Sequence, residues 1–212
     1  LYESFGILDY NSYYFESRES AGEIVSLIQK HIDPNGIKIC EWGCGPVRLL
    51  RHFDYHLKDY NVELFGTDYN KKTIKWCKRN FPDITFIDNQ LHPPLDFPDN
   101  YLDAIYCVSV FTHLSRELQI EWLNECLRVI KPDGIFLMTV HGDSCSKKLL
   151  KYEQDDYKSG GYVMRGKVKE GKRNFVSYNN PSYIRNVLLK DADILEFIPG
   201  GRNNQDMWII KK

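Results

Sequence analysis

Short runs of hydrophobic residues alternate along the chain with longer segments in which hydrophobic residues recur every three or four positions. The short runs are typical of buried strands, and the wider spacing is typical of helices with one buried face. Strands are predicted at residues 37–40, 62–65, 84–87, 102–108 and 135–140. Helices are predicted between them at about 18–31, 46–57, 70–80 and 118–130. This alternation predicts an α/β fold with a doubly wound sheet.

The last third of the chain departs from this alternation. Residues 193–198 and 206–211 predict a terminal antiparallel hairpin. Residues 142–180 are richer in Tyr, Lys and Gly and are predicted to form an insertion, with two strands around a tight turn at Glu170-Gly171. Because loops on a rigid scaffold commonly carry recognition, we expect the 142–180 insertion to bind the substrate.

A glycine turn with flanking carboxylates is the main chemical signal in the sequence. Glu41-Trp42-Gly43-Cys44-Gly45 follows the first strand, and Gly66-Thr67-Asp68 ends the second. Glycines allow a sharp turn and a close approach of a ligand to the backbone. A dinucleotide fingerprint would need a third glycine where Arg48 stands, and Glu41 would repel a pyrophosphate. The pattern therefore favours a cationic nucleoside such as S-adenosylmethionine, which carries a sulfonium and no phosphate.

With these motifs the sequence resembles the class I S-adenosylmethionine-dependent methyltransferases. The resemblance extends over about residues 37–141, in the order and spacing of the family. The segments that carry it are 41–45 for the first motif, 66–69 for the ribose-binding strand end, 86–89 for the adenine side, 101–114 for the fourth strand and its exit, and 127–136 for the turn into the fifth strand. The resemblance implies a Rossmann-like seven-stranded sheet with a terminal antiparallel hairpin.

The resemblance also implies roles for individual cofactor-binding residues. Asp68 is expected to accept hydrogen bonds from the ribose hydroxyls, with Tyr69 beside it, and Glu41 is expected near the methionine portion. Asp88 and Asn89 are expected at the adenine. The remaining expected residues are Gly43 and Gly45 at the backbone turn, and Ser109 and Val110 on the methionine and sulfonium side.

Two histidines are candidate catalytic residues. Methyl transfer is largely a matter of alignment, and a base is needed only when the acceptor is a hydroxyl. His113 follows the fourth strand and His141 ends the fifth, so both are expected at the cofactor edge of the sheet. His141 is the preferred candidate because it opens into the insertion, whereas His113 could equally be a helix-start histidine bonded to backbone.

Two segments of the last third of the chain bear on the identity of the methyl acceptor. Residues 205–208 with Lys211 resemble methyltransferases of bacterial polysaccharide assembly, which favours a small-molecule or sugar hydroxyl. The alternative is a noncatalytic cofactor-binding or scaffold module of a glycan-assembly protein. Five cations in the predicted insertion hairpin indicate either a solvated ribbon or a site for an anionic acceptor. They are Arg165, Lys167, Lys169, Lys172 and Arg173.

Length and the aromatic amino-terminal segment bear on the domain organisation. A chain of 212 residues fits one domain spanning residues 1–212. Residues 1–32 are expected to form an N-terminal helix or lid. Aromatic residues between Tyr2 and Phe15 are compatible with packing outside the sheet or with a lid over the cofactor.

Composition limits the partners and the compartment. The formal net charge of −1 makes a nucleic-acid partner unlikely, and membrane insertion is not expected, since no apolar stretch approaches a bilayer-spanning length. Six cysteines without a CxxC pair indicate free thiols in a reducing compartment, taken here as the cytoplasm. No metal is expected, because Phe53 stands where the His52/His56 pair would need a glutamate for peptidase chemistry.

Overall fold

The structure is a computed structural model that describes residues 9–166, 169–172 and 174–212, with only the backbone of Arg202. The strands of its main sheet are β1 (Ile37–Trp42), β2 (Val62–Asp68), β3 (Thr85–Asp88), β4 (Leu102–Cys107), β5 (Ile130–Val140), β8 (Asp193–Ile198) and β9 (Asp206–Lys211). A separate two-stranded sheet contains β6 (Tyr162–Arg165) and β7 (Val176–Asn179).

The α-helices are α1 (Tyr10–His31), α2 (Phe53–His56), α3 (Lys71–Asn80), α4 (Arg116–Val129), α5 (Asp143–Ser146), α6 (Lys151–Gly160) and α7 (Pro181–Tyr183). Short 3₁₀ turns cover Leu50–His52, Phe111–His113 and Arg202–Asn204, and a π-helical turn follows α7 at Ile184–Leu188. None of the helices in the described ranges has the length and hydrophobicity needed to span a membrane.

The main sheet has the order β3-β2-β1-β4-β5-β9-β8. Strands β1 to β5 are parallel to one another, whereas β9 runs antiparallel to both β5 and β8. The strand order reverses between β1 and β4, and in open α/β sheets a ligand binds at the carboxyl ends beside such a switch point. The predicted fold class and the terminal hairpin at residues 193–198 and 206–211 are confirmed.

Two hydrophobic cores cover the two faces of the sheet. Cys40 and Trp42 of β1 face the core that contains Trp122 of α4. Ile39 faces the opposite core, where α1, α2 and α3 pack. This split follows from the alternation of side chains along a strand.

Helix α1 is longer than the sequence pattern predicted. It begins at Tyr10 because the Asp9 carboxylate accepts hydrogen bonds from the backbone amides of Asn11 and Ser12, which caps the first turn. The aromatic segment from Tyr10 to Phe15 therefore forms the first six of its 22 residues. The more distal aromatic residues of this segment, Tyr2 among them, lie outside the described residues, so the lid remains a prediction.

The predicted helix at residues 46–57 was wrong in its first half. Residues 45–49 form turns, followed by the 3₁₀ turn and the single-turn helix α2. Val47 has a φ of 58°, a left-handed conformation that is incompatible with a continuing helix. The Arg51 guanidinium donates to the carbonyl oxygens of Val47 at 2.6 Å and Pro46 at 2.7 Å. The side chain thereby satisfies carbonyls that helical backbone amides would otherwise have bonded.

The insertion contains α5, α6 and the β6–β7 pair, whose register is centred on the predicted turn at Glu170-Gly171. The two strands are shorter than predicted, since β6 ends at Arg165 and β7 begins at Val176. Gly171 lies at the carboxyl edge of the main sheet, where its amide donates to the carbonyl of His113 at 2.9 Å. The insertion is therefore attached to the main domain at its tip.

Candidate functional site

A pocket of about 210 Å³ opens at the carboxyl ends of β1, β2 and β4. Its lining includes many of the residues predicted from the sequence, namely Gly43, Asp68, Tyr69, Asn89, Ser109, Val110 and His113. Four predicted residues lie outside the lining: Glu41, Gly45, Asp88 and His141. The pocket is thus at the position expected for the ligand, and its wall differs in detail from the expected set.

The glycine turn is held by backbone hydrogen bonds to β2. The amides of Gly43 and Cys44 donate to the carbonyl of Thr67 at 2.7 and 3.0 Å. Gly43 has a φ of 77°, and a Cβ at this position would lie 2.4 Å from Cγ2 of Val110. Glycine is therefore required at position 43 both by backbone conformation and by the close approach of the β4 exit.

Asp68 connects the turn to the second strand. Its Oδ2 accepts the amide of Gly45 at 3.0 Å, and its Oδ1 accepts the amide of Asn70 at 2.8 Å. An ionised carboxylate has about four acceptor positions, so both oxygens retain a position for a ligand hydroxyl. Gly45 thus acts on the pocket through its amide while lying outside the lining.

The end of β3 contributes an amide to the pocket rather than a carboxylate. Asn89 accepts a hydrogen bond from Thr67 Oγ1 at 2.7 Å and donates to the carbonyl of Gln90 at 2.6 Å. Asp88 lies outside the lining, and its Oδ2 is 3.5 Å from the ammonium of Lys71. Of the adjacent pair predicted for the adenine side, the structure brings only Asn89 to the pocket.

Glu41 lies beneath the glycine turn, buried with 4% of its surface exposed. Its Oε2 accepts the amide of Leu50 at 3.2 Å, at the start of the 3₁₀ turn. Burial raises the pKa of this carboxyl to about 8, although the positive charge of Arg48 partly opposes the shift. The carboxyl therefore holds a proton across much of the neutral range, and its expected contact with the methionine portion remains a prediction.

An aromatic wall that the sequence analysis missed forms one side of the pocket. The rings of Trp42 and Trp122 lie 4.4 Å apart, and Trp122 Nε1 donates to the carbonyl of Leu91 at 2.9 Å. Trp42 stands inside the glycine motif, which was a usable signal. Trp122 lies in the predicted helix 118–130, and nothing in the local pattern distinguishes a core tryptophan from one that also reaches a pocket.

His113 lies in the pocket with a defined orientation. Its Nδ1 is 2.7 Å from the carbonyl oxygen of Phe175, just before β7. Because a carbonyl can only accept, this geometry places a proton on Nδ1. The imidazole is thus held in a fixed orientation at the β4 exit, with Nε2 not engaged by the Phe175 carbonyl.

His141 has a similar hydrogen bond but lies outside the lining. Its Nδ1 is 3.1 Å from the carbonyl of Ser177, and its ring packs 5.3 Å from that of Tyr178. Burial lowers the pKa of His141. His141 was the preferred candidate from the sequence, but His113 lines the pocket and His141 does not. The reason is that strand β7 of the insertion packs over the end of β5.

The tip of the insertion bridges the pocket. The hydroxyl of Tyr69 donates to the carbonyl of Gly171 at 2.7 Å, while the amide of Gly171 donates to the carbonyl of His113 at 2.9 Å. We call residues 169–172 the strap. It joins the end of β2 to the exit of β4 across the mouth of the pocket.

The predicted cationic hairpin is only partly available to an anion. Arg165 forms an ion pair with Glu153 of α6, with Nε 2.7 Å from Oε1, so its charge is already neutralised. Lys169 and Lys172 are exposed on the strap. Lys167 and Arg173 lie outside the described residues, so their contribution to a site for an anionic acceptor stays a prediction.

Comparisons with known proteins agree with this architecture. Residues 40–138 match the family described as "Methyltransferase domain". A probable S-adenosylmethionine-dependent methyltransferase of Mycolicibacterium smegmatis is 28% identical over 104 residues, which cover 49% of this chain and 38% of that protein. The sterol 24-C-methyltransferase of Yarrowia lipolytica is 31% identical over 111 residues, which cover 48% of this chain and 26% of that protein. The matched segment thus spans well under half of either relative.

The fold is shared with solved structures. A crystal structure of an S-adenosylmethionine-dependent methyltransferase from Methanosarcina mazei superposes with a TM-score of 0.64 at 18% identity, covering 88% of this chain and 96% of that one. Residues 40–138, a little under half of the chain, thus match a methyltransferase domain, and the sheet order is that of the S-adenosylmethionine-dependent methyltransferase fold. The predicted family and its cofactor, S-adenosylmethionine, are confirmed.

Proposed function

We propose that this protein transfers the methyl group of S-adenosylmethionine to a hydroxyl of a small molecule or of a sugar or glycan. The observation that carries the proposal is the position of His113, whose imidazole is oriented by the Phe175 carbonyl and shares one pocket with the Asp68 carboxylate. A hydroxyl must lose its proton when it attacks, and an imidazole placed in the same pocket is a group suited to accept it.

The bound cofactor supplies an electrophilic methyl group on a positively charged sulfur. Asp68 is proposed to hold the ribose hydroxyls, and Asn89 to lie at the adenine. Gly43 permits the backbone to approach the methionine portion, with Ser109 and Val110 on the opposite wall. These side chains orient the methyl group, and alignment of two reactants accounts for much of the barrier reduction in such displacements.

The aromatic wall and the strap exclude water from the reacting groups. Trp42 and Trp122 offer aromatic rings that can attract the sulfonium cation, and this attraction needs no hydrogen bond. Gly171 covers the mouth of the pocket from the other side. A dry site strengthens the interaction of the cofactor cation with Asp68 and prevents its reaction with water.

A phosphorylated or nucleotide-linked sugar is the proposed form of an anionic acceptor, with Lys169 and Lys172 as its described contacts. Exchange of both lysines for serine should raise KM for an anionic acceptor and leave KM for a neutral analogue unchanged. Equal KM values for the anionic acceptor before and after the exchange would remove this part of the proposal. The buried free thiols of the chain support the cytoplasm as the proposed compartment.

The proposed base is tested by comparing His113→Gln with His141→Gln. Transfer from labelled S-adenosylmethionine is measured against a panel of sugars, nucleotide sugars and phenols. His113→Gln should lower kcat by ~10²–10⁴ while the affinity for S-adenosylhomocysteine, measured by calorimetry, stays near that of the wild type. A larger loss of kcat in His141→Gln would reassign the base to the residue preferred from sequence.

The alternative function is a noncatalytic cofactor-binding or scaffold module of a glycan-assembly protein. Asp68 and the glycine turn support cofactor binding in both cases. Tight binding of S-adenosylhomocysteine without transfer to any member of the panel would favour the scaffold. Turnover that depends on His113 would exclude it.

A further inference from the structure

Ser109 occupies an unfavourable backbone conformation in the wall of the pocket. Its φ is 62°, in the left-handed region that residues other than glycine rarely adopt. A residue other than glycine is disfavoured in this region and persists there only where the surrounding structure holds it. Contacts that hold Ser109 are therefore part of what shapes the pocket.

Those contacts come from the beginning of the terminal hairpin. Gln205, immediately before β9, is buried, and its side chain reaches both Ser109 and Thr139 of β5. Gln205 Nε2 donates to Ser109 Oγ at 2.7 Å, and Thr139 Oγ1 donates to Gln205 Oε1 at 2.6 Å. The same Thr139 oxygen accepts the backbone amide of Ser109 at 2.8 Å. The three residues form a closed network in which the amide of the strained residue is satisfied.

The conformation of Ser109 also determines where His113 lies. The left-handed turn redirects the chain from β4 into the 3₁₀ turn Phe111–His113. The carbonyl of Ser109 accepts the hydroxyl of Thr112 at 2.6 Å, and the carbonyl of Val110 accepts the amide of His113 at 2.9 Å. A change of backbone at Ser109 would therefore move the imidazole and the Val110 wall together.

We propose that Gln205 is a positioning residue of the methyltransferase site, one that holds Ser109 in its left-handed conformation and thereby places Val110 and His113. The inference rests on the proposed function, since His113 is the base only in that reaction. Gln205 acts through Ser109 and is outside the lining of the pocket. It connects the terminal hairpin to a site otherwise built from residues 41–122 and the strap.

The test replaces Gln205 with methionine, which keeps the volume and removes both hydrogen-bonding groups. Affinity for S-adenosylhomocysteine is measured by calorimetry, and the protonated nitrogen of His113 is identified by long-range ¹H–¹⁵N spectra of the imidazoles. Gln205→Met should weaken binding about tenfold, as expected for lost buried hydrogen bonds. It should also turn the single Nδ1-protonated form of His113 into a mixture of tautomers. Gln29→Met, at an exposed glutamine of α1, is the matched control and should change neither.

A rescue experiment separates positioning from a general loss of stability. Glycine adopts a positive φ without cost, so Ser109→Gly added to Gln205→Met should recover most of the lost affinity and the single tautomer. Additive losses in the double variant, or unchanged affinity and tautomer in Gln205→Met, would overturn the proposal. If Gln205→Met does not fold, Thr139→Val serves in its place, because it removes the hydroxyl that accepts the Ser109 amide and donates to Gln205. The same affinity and tautomer measurements then decide the proposal. Failure of the wild-type protein to bind S-adenosylhomocysteine or to transfer methyl groups would instead count against the proposed function.

Discussion

The two sides of the pocket are assembled from parts at different distances along the chain. On the cofactor side, the hydrogen bonds among the glycine turn and the ends of β2 and β3 join residues 22 to 24 positions apart, as between Thr67 and Asn89 or between Gly43 and Thr67. On the side proposed for the acceptor, His113 is oriented by a residue 62 positions away. Ser109 is held by one 96 positions away.

This difference affects what each side tolerates. The cofactor side follows from adjacent strand–turn units, whose geometry is set by glycines and by parallel pairing of β1, β2 and β3. The acceptor side depends on the insertion and the terminal hairpin packing against β4 and β5. We therefore expect substitutions on the cofactor side to remove ligand contacts directly. Substitutions on the acceptor side are expected to displace the residues that line the pocket.

The largest expected effect concerns the carboxylates at the ends of β2 and β3. Asp68→Ala removes the charge proposed to hold the ribose and also the acceptor for the Gly45 amide, so S-adenosylhomocysteine should bind ~10²–10³-fold more weakly. Asp88→Ala, at the neighbouring strand end outside the pocket, should change affinity far less. Calorimetry on both variants checks the difference, and comparable losses would contradict the assignment of the site to Asp68.

The second prediction uses the buried carboxyl beneath the glycine turn. Burial raises the pKa of Glu41 from its ordinary value of 4.5 to about 8, so the folded state retains a proton that the unfolded chain releases. The resulting stability is fully present below pH 4.5 and is lost as the pH rises through about 8. Glu41→Gln has no ionisable group at this position. Between pH 5 and pH 8 its free energy of unfolding should therefore increase by about 3 kcal/mol relative to that of the wild type.

Urea unfolding at the two pH values measures this effect. A parallel pH dependence in wild type and Glu41→Gln would show that the carboxyl is ionised in the folded state. Arg48 supplies an internal check, because loss of its positive charge should raise the pKa of Glu41 further.

A pair of glycines with the same backbone angle tests how the two sides meet. Gly43 and Gly36 both have a φ of 77°, but a Cβ at position 36 has nothing within 4 Å, whereas one at position 43 would collide with Val110. Both alanine substitutions carry the backbone cost, so Gly43→Ala should be less stable than Gly36→Ala by about 2 kcal/mol, the size of an overpacking penalty. Thermal or urea unfolding of the two variants measures the difference, and Val110→Ala should reduce it. Equal stabilities would mean that the β4 exit moves freely away from the turn.

The smallest expected effect is at the strap. Tyr69→Phe removes the hydroxyl that donates to Gly171 and leaves the ring, so bound S-adenosylhomocysteine should dissociate a few-fold faster, equivalent to about 1 kcal/mol. Tyr60→Phe is a matched control, because both tyrosines are 42% exposed. Stopped-flow measurement of the dissociation rate tests the strap, and equal rates in the two variants would remove its role in retaining the ligand.

The cofactor side was largely predictable from the sequence, with two informative exceptions. Gly43, Asp68 and Asn89 line the pocket because motif and strand end are adjacent in the chain, and their roles at the cofactor stay predictions. Glu41 stands in the same motif but lies beneath the turn, because alternate residues of a strand point to opposite sides. The helix predicted after the turn was wrong because Arg51 bonds the carbonyls of Val47 and Pro46 from its side chain.

By itself the sequence determined the order of strands and helices, the glycine turn and the class of ligand, since these depend on periodicity, on backbone freedom at glycine and on charge within short segments. Only the tertiary structure decided that His113 rather than His141 faces the pocket, that Trp122 forms its wall and that Gln205 supports Ser109. Each of those outcomes requires segments far apart in the chain to pack together, and the positions at which they meet are not encoded in any local pattern.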